Sequence, residues 1–289
     1  MTSNQSIYFE YTAAAVPTIN SITPTTLAPH QEAIIITPNL KAKYLNFNKN
    51  SSRKIDTKNS SSNIFYAIKG SGEIKFLHKN ITKTIHWNQG DVFIIPFQNN
   101  EIYFKTSQNS TLFYANDSGL IEFLKCKPVE QRFSPCLYKK EEMMKEIEKF
   151  NNMEGSESRN RNGVLLTNTE MVNEKLNTIT HTMWSLMNTI GPNTVQKPHR
   201  HNSIAIDLCS EMEDSSNGLV YTLMSKEIDE NGDLINPIRM NWKKHHTFTT
   251  PPGWWHSHHN ESEYPAWVFP VQDAGLHTYL RTLDIQFVK

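Results

Sequence analysis

The sequence lacks the features of a membrane or secreted protein. It has no apolar run near the roughly 20 residues that cross a bilayer. Its beginning, MTSNQSIYFEYTAAAVPTI, has neither a basic head nor a long hydrophobic stretch. Cysteine is scarce as well, because Cys126, Cys136 and Cys209 form no CxxC pair and their odd number suits reduced thiols better than a disulfide framework. We therefore expect an unsecreted, cytoplasmic protein.

An excess of charge of either sign is also missing. Lys plus Arg and Asp plus Glu number 29 each, so no net field draws the chain to nucleic acid or to an anionic membrane. We expect its partners to be a small-molecule substrate and further copies of itself, as a homodimer or homotetramer, and we expect neither nucleic acid nor membrane.

Segments of alternating apolar and polar residues dominate the sequence. The segment from Lys75 to Phe104 alternates in this way, is rich in Ile, Phe, Thr and Tyr, and contains turn signals at 79–80 and 88–90. Residues 178–190 and 218–225 show the same pattern. The one clear helical pattern, KKEEMMKEIEKF, spans Lys139–Phe150 in the middle of the chain. The sequence therefore predicts an all-β protein with a short, partly helical linker.

The two halves of the sequence are related by an internal repeat. WNQGDVFIIP at 87–96 aligns with WKKHHTFTTP at 242–251, with Trp, Phe and Pro each displaced by 155 positions. DSGLIEFLK at 117–125 then matches DAGLHTYLR at 273–281, displaced by 156. This predicts a duplicated all-β domain. The predicted boundaries are an N-terminal arm at 1–29, a first copy at 30–128, a linker at 129–170 and a second copy at 171–289.

Histidines cluster in two segments of the second copy. In KPHRHNSIAID, residues 197–207, a strand places His199 and His201 on one face and Arg200 on the other. In GWWHSHHN, residues 253–260, an extended backbone places His256 and His258 on one face. Three neutral imidazoles suit Fe, Zn, Cu or Ni and leave positions for water, oxygen or substrate. The pattern predicts a metal site that is catalytic.

These two segments, PHRHNSIAIDL and TPPGWWHSHHNESEYPAWVF, resemble the two-domain cupins of the gentisate 1,2-dioxygenase type. The resemblance extends from about Ser61 to the end of the chain. It implies two jelly-roll (double-stranded β-helix) cupin barrels and a non-haem Fe(II) dioxygenase that uses O2. Carried over by residue, it implies that His199, His201 and His256 bind the metal and that His258 lies in the pocket beside it. We further predict that His258 is a catalytic acid or base, because an imidazole titrates near neutrality, and that Trp254 forms a wall of the substrate pocket.

The first copy has no equivalent triad in this alignment. At the offset of 155 residues, His256 falls on Glu101 and His258 on Tyr103, and no histidine occurs between His30 and His78. We interpret the first barrel as structural or dimerising and the second as the working barrel.

The sequence departs from the gentisate pattern at two pocket positions. Asp207 stands six residues after the second histidine of the H-x-H motif, where the resemblance places an arginine that holds the substrate carboxylate. Asp207 would instead accept hydrogen bonds from an amine or hydroxyl, orient a ligand histidine, move a proton or bind the metal itself. Ser203 is small where relatives place a longer amide. Both are predicted substrate-binding residues, and they predict a substrate other than gentisate.

Three functions remain open from the sequence. The first is an Fe(II) dioxygenase, ring-cleaving or related, that acts on a small aromatic or enolic substrate. The second is a cupin lyase, isomerase or hydrolase that uses Zn, Mn or Ni as a Lewis acid. The third is a non-catalytic cupin that binds a small molecule, since one fold hosts many functions.

Overall fold

Antiparallel β-strands dominate the computed structural model, which describes residues 23–153 and 162–288. This confirms the predicted all-β fold class. Residues 1–22 of the predicted arm lie outside the described residues, whereas the arm's Thr25 donates its N–H to the Thr249 hydroxyl at 3.0 Å. No described helix is long and apolar enough to span a membrane.

Strands β1 to β11 and two helices precede the gap at 154–161. The strands are β1 (Thr26–Leu27), β2 (Ile34–Ile36), β3 (Lys41–Phe47), β4 (Ser52–Ile55), β5 (Ser62–Lys69), β6 (Ser71–His78), β7 (Ile81–Asn88), β8 (Val92–Pro96), β9 (Ile102–Thr106), β10 (Ser110–Asn116) and β11 (Cys136–Tyr138). The helices are α1 (Ser118–Phe123) and α2 (Lys140–Asn151). The observed α2 begins and ends one residue later than the sequence predicts.

Strands β12 to β22 and two further helices follow the gap. The strands are β12 (Asn162–Leu166), β13 (Trp184–Ile190), β14 (Thr194–Val195), β15 (His199–His201), β16 (Ala205–Glu211), β17 (Val220–Ser225), β18 (Ile238–Asn241), β19 (Thr247–Thr250), β20 (Trp255–Asn260), β21 (Ala266–Gln272) and β22 (Ile285–Phe287). The helices are α3 (Thr169–Asn173) and α4 (Ala274–Leu280), and a single 3₁₀ turn forms at Asp214–Ser216.

The N-terminal unit comprises residues 27–145 and 166–183. It contains one sheet in the order β11-β8-β5-β10-β3-β2 and another in the order β4-β9-β6-β7. In β6, Ile74 and Phe76 are buried while the intervening Lys75 is exposed, as expected of a strand with one face on the core. Aromatic residues fill the core, where Phe65 stacks on Phe93 with ring centroids 4.9 Å apart and on Tyr114 with centroids 4.6 Å apart.

The described part of the C-terminal unit comprises residues 23–26, 146–153, 162–165 and 184–288. Its first sheet has the order β1-β19-β16-β21-β13-β12. Its second sheet has the order β18-β17-β20-β15-β22, with β14 paired to β20. The central strands follow the same order as their counterparts in the N-terminal unit, with β19-β16-β21-β13 corresponding to β8-β5-β10-β3. The internal repeat in the sequence thus corresponds to a repeat of sheet topology.

The aspartate that begins each DSGL or DAGL segment accepts hydrogen bonds from the backbone at one end of its barrel. Asp117 accepts hydrogen bonds from the backbone N–H groups of Ser61 and Ser62 at 2.8 and 3.1 Å, and from the Thr182 hydroxyl at 2.8 Å. In the C-terminal unit, Asp273 accepts the N–H of Ile204 at 2.9 Å. Each carboxylate thereby satisfies buried backbone donors beside the strand, β5 or β16, at the centre of its sheet.

Replacing Asp117 by Ala should destabilise the N-terminal unit. The change leaves two backbone N–H groups and the hydroxyls of Ser61 and Thr182 without this acceptor, and we expect a loss of about 2–4 kcal/mol in the free energy of unfolding. Urea unfolding of the full chain measures it. Asp56→Ala is the control, since Asp56 is exposed and pairs with Lys58 at the surface. Equal stability of the two variants would contradict this role of Asp117.

Candidate metal centre

Two adjacent strands of the C-terminal unit bring the predicted ligands together. Strand β15 carries His199 and His201, and β20 carries His256. The strands pair antiparallel with His199 directly opposite His256. Because side chains alternate along a strand, His199, His201 and His256 share one face, while Arg200 lies on the other face with its guanidinium 5.4 Å from the Trp255 ring centroid. All three histidines are buried.

The three imidazoles are close enough to bind one ion. One ligand nitrogen from each of His199, His201 and His256 lies within 4.8 Å of the others. The ring centroids are 3.9 Å apart for His199 and His256, and 4.9 Å apart for His201 and His256. Three imidazoles leave coordination positions for water or substrate, as in catalytic sites. Among the described residues this is the group of His, Cys, Asp and Glu side chains that could hold a metal, and Asp207 is not part of it.

Backbone carbonyl groups set the tautomer of two of these histidines. His201 Nδ1 donates to the Ser203 carbonyl oxygen at 2.8 Å, and His256 Nδ1 donates to the Trp254 carbonyl oxygen at 3.0 Å. A carbonyl oxygen can only accept, so each Nδ1 carries the proton and each Nε2 keeps its lone pair. This is the state that a metal requires of a neutral imidazole ligand. The residues therefore fit a divalent transition metal.

Ser203 lies behind His201. Its hydroxyl is 3.1 Å from His201 Nδ1 and donates to Gln272 Oε1 at 2.9 Å. Ser203 is fully buried and is not among the residues that line the cavity described below. The structure thus gives Ser203 a contact with a candidate ligand, and its predicted contact with substrate stays a prediction.

Trp254 also lies outside the lining of that cavity. It is buried in a hydrophobic cluster that includes Trp242, Phe248 and Met224. Its backbone carbonyl, through the hydrogen bond to His256, is its contact with the candidate site. A substrate contact by the Trp254 ring stays a prediction as well.

His258 lies beside the three histidines on the same face of β20. Its ring centroid is 5.7 Å from that of His256 and 6.2 Å from that of His199. Its Nδ1 lies 2.8 Å from the Thr222 hydroxyl, which accepts the Trp242 indole N–H at 2.8 Å. This chain of hydrogen bonds holds the His258 ring in one orientation, and His258 lines the cavity described below. The arrangement suits a residue that exchanges a proton with a ligand.

A cavity of about 380 Å³ opens beside the histidines. Its volume is in the range of small-molecule sites. Its polar lining consists of His199, His201, His256, His258, Asp207, Asn188 and Gln272. The rest of the lining is mainly apolar and comprises Gly163, Leu165, Trp184, Leu186, Val268, Pro270, Ala274, Leu283, Ile285 and Phe287. The histidines thus lie in the wall of a pocket with a mostly apolar interior.

Sequence reasoning missed most of this apolar wall. Alternate residues of β13, namely Trp184, Leu186 and Asn188, line the cavity, while Ser185 and Met187 are buried on the other face. The last strand, β22, pairs with β15 and places Phe287 opposite His199, where the two rings stack with centroids 5.7 Å apart. The alternation in WSLMN is a sequence signal for a strand, but it does not show which face meets the metal.

Asp207 is a buried acid in the cavity wall. The Thr250 hydroxyl donates to its Oδ2 at 2.7 Å. Burial raises the pKa of Asp207 from 3.8 to about 7, because the charged form loses water, and the hydrogen bond from Thr250 opposes this only in part. Near neutral pH the carboxyl group can therefore both accept and release a proton.

Structural comparison shows what this fold is similar to. No family model and no curated protein matches the sequence. The salicylate 1,2-dioxygenase of Pseudaminobacter salicylatoxidans superposes with a TM-score of 0.70 at 10% identity, over 99% of this chain and 98% of that chain. A structure of that enzyme with gentisate gives 0.67 at 12% identity, over 98% and 83%. An oxalate decarboxylase mutant of Bacillus subtilis gives 0.57 at 11% identity, over 88% and 79%.

The chain has a bicupin fold. Both units carry the double-sheet barrel, as the resemblance of the histidine segments to two-domain cupins predicts. At 10–12% identity the likeness concerns the fold.

The N-terminal cupin barrel has three apolar residues and a threonine where the C-terminal barrel has histidines. The Trp87–Gly72 pair corresponds to the Trp242–Val220 pair, so β6 and β17 can be compared position by position. Two residues further along, Ile74 of β6 corresponds to Thr222 of β17. Ile74 is paired with Phe104, and Thr222 is paired with His258. Phe104 is therefore the counterpart of His258, and Ile102 is that of His256. Because Ile55 of β4 pairs with Ile102 as His199 of β15 pairs with His256, Ile55 and Thr57 are the counterparts of His199 and His201. All four counterparts are buried.

This register corrects the alignment that gave Glu101 and Tyr103 as the counterparts of His256 and His258. The true offset in this strand is 154, and a slip of one residue exchanges the two faces of a strand. Glu101 and Tyr103 are exposed, as residues on the outer face should be.

Replacing His256 by Ala should abolish metal binding by the protein. Loss of a side chain that merely supports a ligand weakens metal affinity about 10–100-fold, so loss of a ligand should exceed 100-fold. Metal content after equilibration with Fe(II) or Zn(II) measures this. His259→Ala is a matched control in the same strand, because His259 lies on the other face and stacks on Tyr221. Retention of metal by His256→Ala, or equal loss in both variants, would contradict the site.

Replacing Asp207 by Asn should stabilise the chelator-treated protein at high pH. Since the folded-state pKa of Asp207 is about 7 and its usual value is 3.8, its contribution to stability is lost as the pH rises through that window. Asn does not titrate, so its advantage over Asp should be small at pH 4 and grow to roughly 2–4 kcal/mol at pH 8. Urea unfolding at both pH values tests this, and a pH-independent difference would contradict it.

Proposed function

We propose that the C-terminal barrel binds a divalent metal on His199, His201 and His256. We further propose that the protein is a metal-dependent cupin enzyme, a non-haem Fe(II) dioxygenase acting on a small aromatic or enolic substrate. The observation that carries the proposal is the group of three buried histidines in the wall of the 380 Å³ cavity, two of them with Nε2 left as the ligand atom by their hydrogen bonds.

Held by His199, His201 and His256, Fe(II) would keep its two positive charges among three neutral imidazoles, which favours an anionic chelating substrate, and would supply the redox chemistry that a reaction with O2 needs. The chain's own residues would do the rest. The apolar wall, including Trp184, Leu186 and Phe287, would hold a planar ring and exclude water from it. His258, held by Thr222, would move a proton at the substrate oxygen or nitrogen.

Two structural likenesses support the dioxygenase proposal. The superposition with salicylate 1,2-dioxygenase covers nearly the whole of both chains, and another structure of that enzyme contains gentisate. The same two-barrel fold therefore supports ring oxygenation in another protein. Gentisate itself is not the proposed substrate, because Asp207 occupies the position at which the resemblance calls for a carboxylate-binding arginine.

A second candidate function is a cupin lyase or isomerase that uses Zn, Mn or Ni. The observation in its favour is Asp207, a buried carboxyl group with a pKa of about 7 that lines the same cavity and can transfer protons near neutral pH. The likeness to oxalate decarboxylase agrees with it. In this case the metal would polarise a substrate carbonyl or carboxylate and oxygen would not be consumed.

Oxygen uptake after anaerobic loading with Fe(II) tests the proposed function. We expect about one iron per chain and substrate-dependent oxygen consumption with at least one member of a panel of catechol, 2-aminophenol, and dihydroxy- and aminohydroxybenzoates. Since the metal must be bound for the reaction, activity should fall more than about 100-fold in His256→Ala and stay within about twofold of wild type in the outer-face control His259→Ala.

A protein that purifies with zinc, manganese or nickel, and consumes no oxygen with any panel member when fully loaded with iron, would contradict the dioxygenase proposal. That result would favour the lyase or isomerase.

A further inference from the structure

The cavity wall carries one charged side chain, and that charge is negative. Among the described residues that line the cavity there is no Lys or Arg, and Asp207 is the sole acid. The remaining polar wall consists of imidazoles and the amides of Asn188 and Gln272. A bound metal would therefore be the one strongly positive group in the cavity.

This charge inventory limits where a ligand can carry negative charge. Groups that chelate the metal can be anionic, because the metal neutralises them. A further carboxylate elsewhere on the ligand would find no cation in the wall, and it would lie in a largely apolar cavity together with the Asp207 carboxylate. Burying an unpaired charge of this kind, near another of the same sign, is unfavourable.

Asp207 has one oxygen available to a ligand. Thr250 donates to Oδ2, and Oδ1 has no further hydrogen-bond partner among the described residues. Asp207 belongs to the central strand β16, paired with Phe248 of β19 and Pro270 of β21, so its backbone position is fixed on both sides. A ligand that brings an O–H or N–H group to Oδ1 would satisfy this acceptor in the cavity wall, and a hydrogen bond to an ionised group is stronger than one between neutral groups.

We propose that Asp207 is a specificity-determining residue that selects rings bearing a hydroxyl or amino group and no carboxylate, of the catechol or 2-aminophenol class. The proposal rests on the proposed function in one respect: it takes a metal bound by the three histidines as the group that the ring chelates. The ring would chelate the metal through its oxygen or nitrogen substituents and present an O–H or N–H to Asp207. Trp184, Leu186 and Phe287 would contact its apolar face and edges.

The supporting pKa shift agrees with this assignment. Burial raises the pKa of Asp207 to about 7, so near neutral pH both its protonated and its ionised form are present. Both forms can accept a hydrogen bond from an amine or hydroxyl.

Anaerobic calorimetry on the Fe(II)-loaded protein tests the inference through binding. The probes are catechol, 2-aminophenol and 3,4-dihydroxybenzoate. Catechol and 3,4-dihydroxybenzoate share the same chelating pair of hydroxyls and differ in a carboxylate that cannot reach the metal at the same time. We expect catechol or 2-aminophenol to bind at least about tenfold more tightly than 3,4-dihydroxybenzoate, the difference typical of a charge-assisted hydrogen bond. In Asp207→Asn, which keeps the shape and removes the charge, this preference should shrink to about twofold or less.

Asn188→Ala is the matched control, since Asn188 lines the same cavity without charge. It should weaken binding of all three probes similarly and leave the preference intact. 3,4-Dihydroxybenzoate binding as tightly as the other two rings to wild type, an unchanged preference in Asp207→Asn, or no measurable binding of catechol and 2-aminophenol would each overturn the inference.

The same samples separate this inference from the proposed function. The expected preference without any oxygen consumption would support the role of Asp207 and contradict the dioxygenase. Oxygen consumption with 3,4-dihydroxybenzoate as the preferred ring would support the dioxygenase and contradict the role of Asp207.

Discussion

The pairing of β15 with β20 is the constraint on which the candidate site depends. It sets His199 opposite His256, and strand alternation then places His201 and His258 on the same face. Pairing on the outer sides fixes these two strands further, with β22 beside β15 and β17 beside β20. Backbone carbonyl groups of Ser203 and Trp254 then orient two of the rings. The candidate metal ligands are thus positioned mainly by backbone hydrogen bonds and need few dedicated side chains.

The two barrels share one sheet topology but differ in the side chains at corresponding positions. In the N-terminal barrel, Ile55, Ile102 and Phe104 occupy the positions of His199, His256 and His258, and with Phe65 and Phe93 they form an aromatic-rich core. In the C-terminal barrel, histidines occupy these positions beside a cavity. Large apolar side chains stabilise a barrel by burying area, whereas buried imidazoles need hydrogen bonds or a metal to offset their loss of water. The division agrees with a supporting first barrel and a working second barrel.

The sequence was sufficient to predict the fold class and the residues that assemble into the three-histidine group, because both depend on local patterns: strand alternation, the repeat of WNQGDVFIIP, and the H-x-H spacing. It was not sufficient for the cavity wall, since β13 and β22 reach the site through long-range pairing that no local pattern encodes. Long-range pairing also explains why the sequence alignment gave Glu101 and Tyr103 as the counterparts of His256 and His258. The alignment used the offset between the two copies at the Trp and Phe positions, and that offset is one residue smaller in the next strand. Ser203 and Trp254 lie next to ligands in sequence, yet their side chains lie outside the cavity lining.

The central claim is that one metal ion binds at the three histidines of the C-terminal barrel. Anomalous diffraction from crystals of the metal-loaded protein, recorded on both sides of the metal's absorption edge, tests it most directly. The account predicts one peak per chain, about 2.0–2.2 Å from a nitrogen of each of His199, His201 and His256. A peak bound by other residues, or no peak in the C-terminal barrel of fully loaded protein, would contradict it.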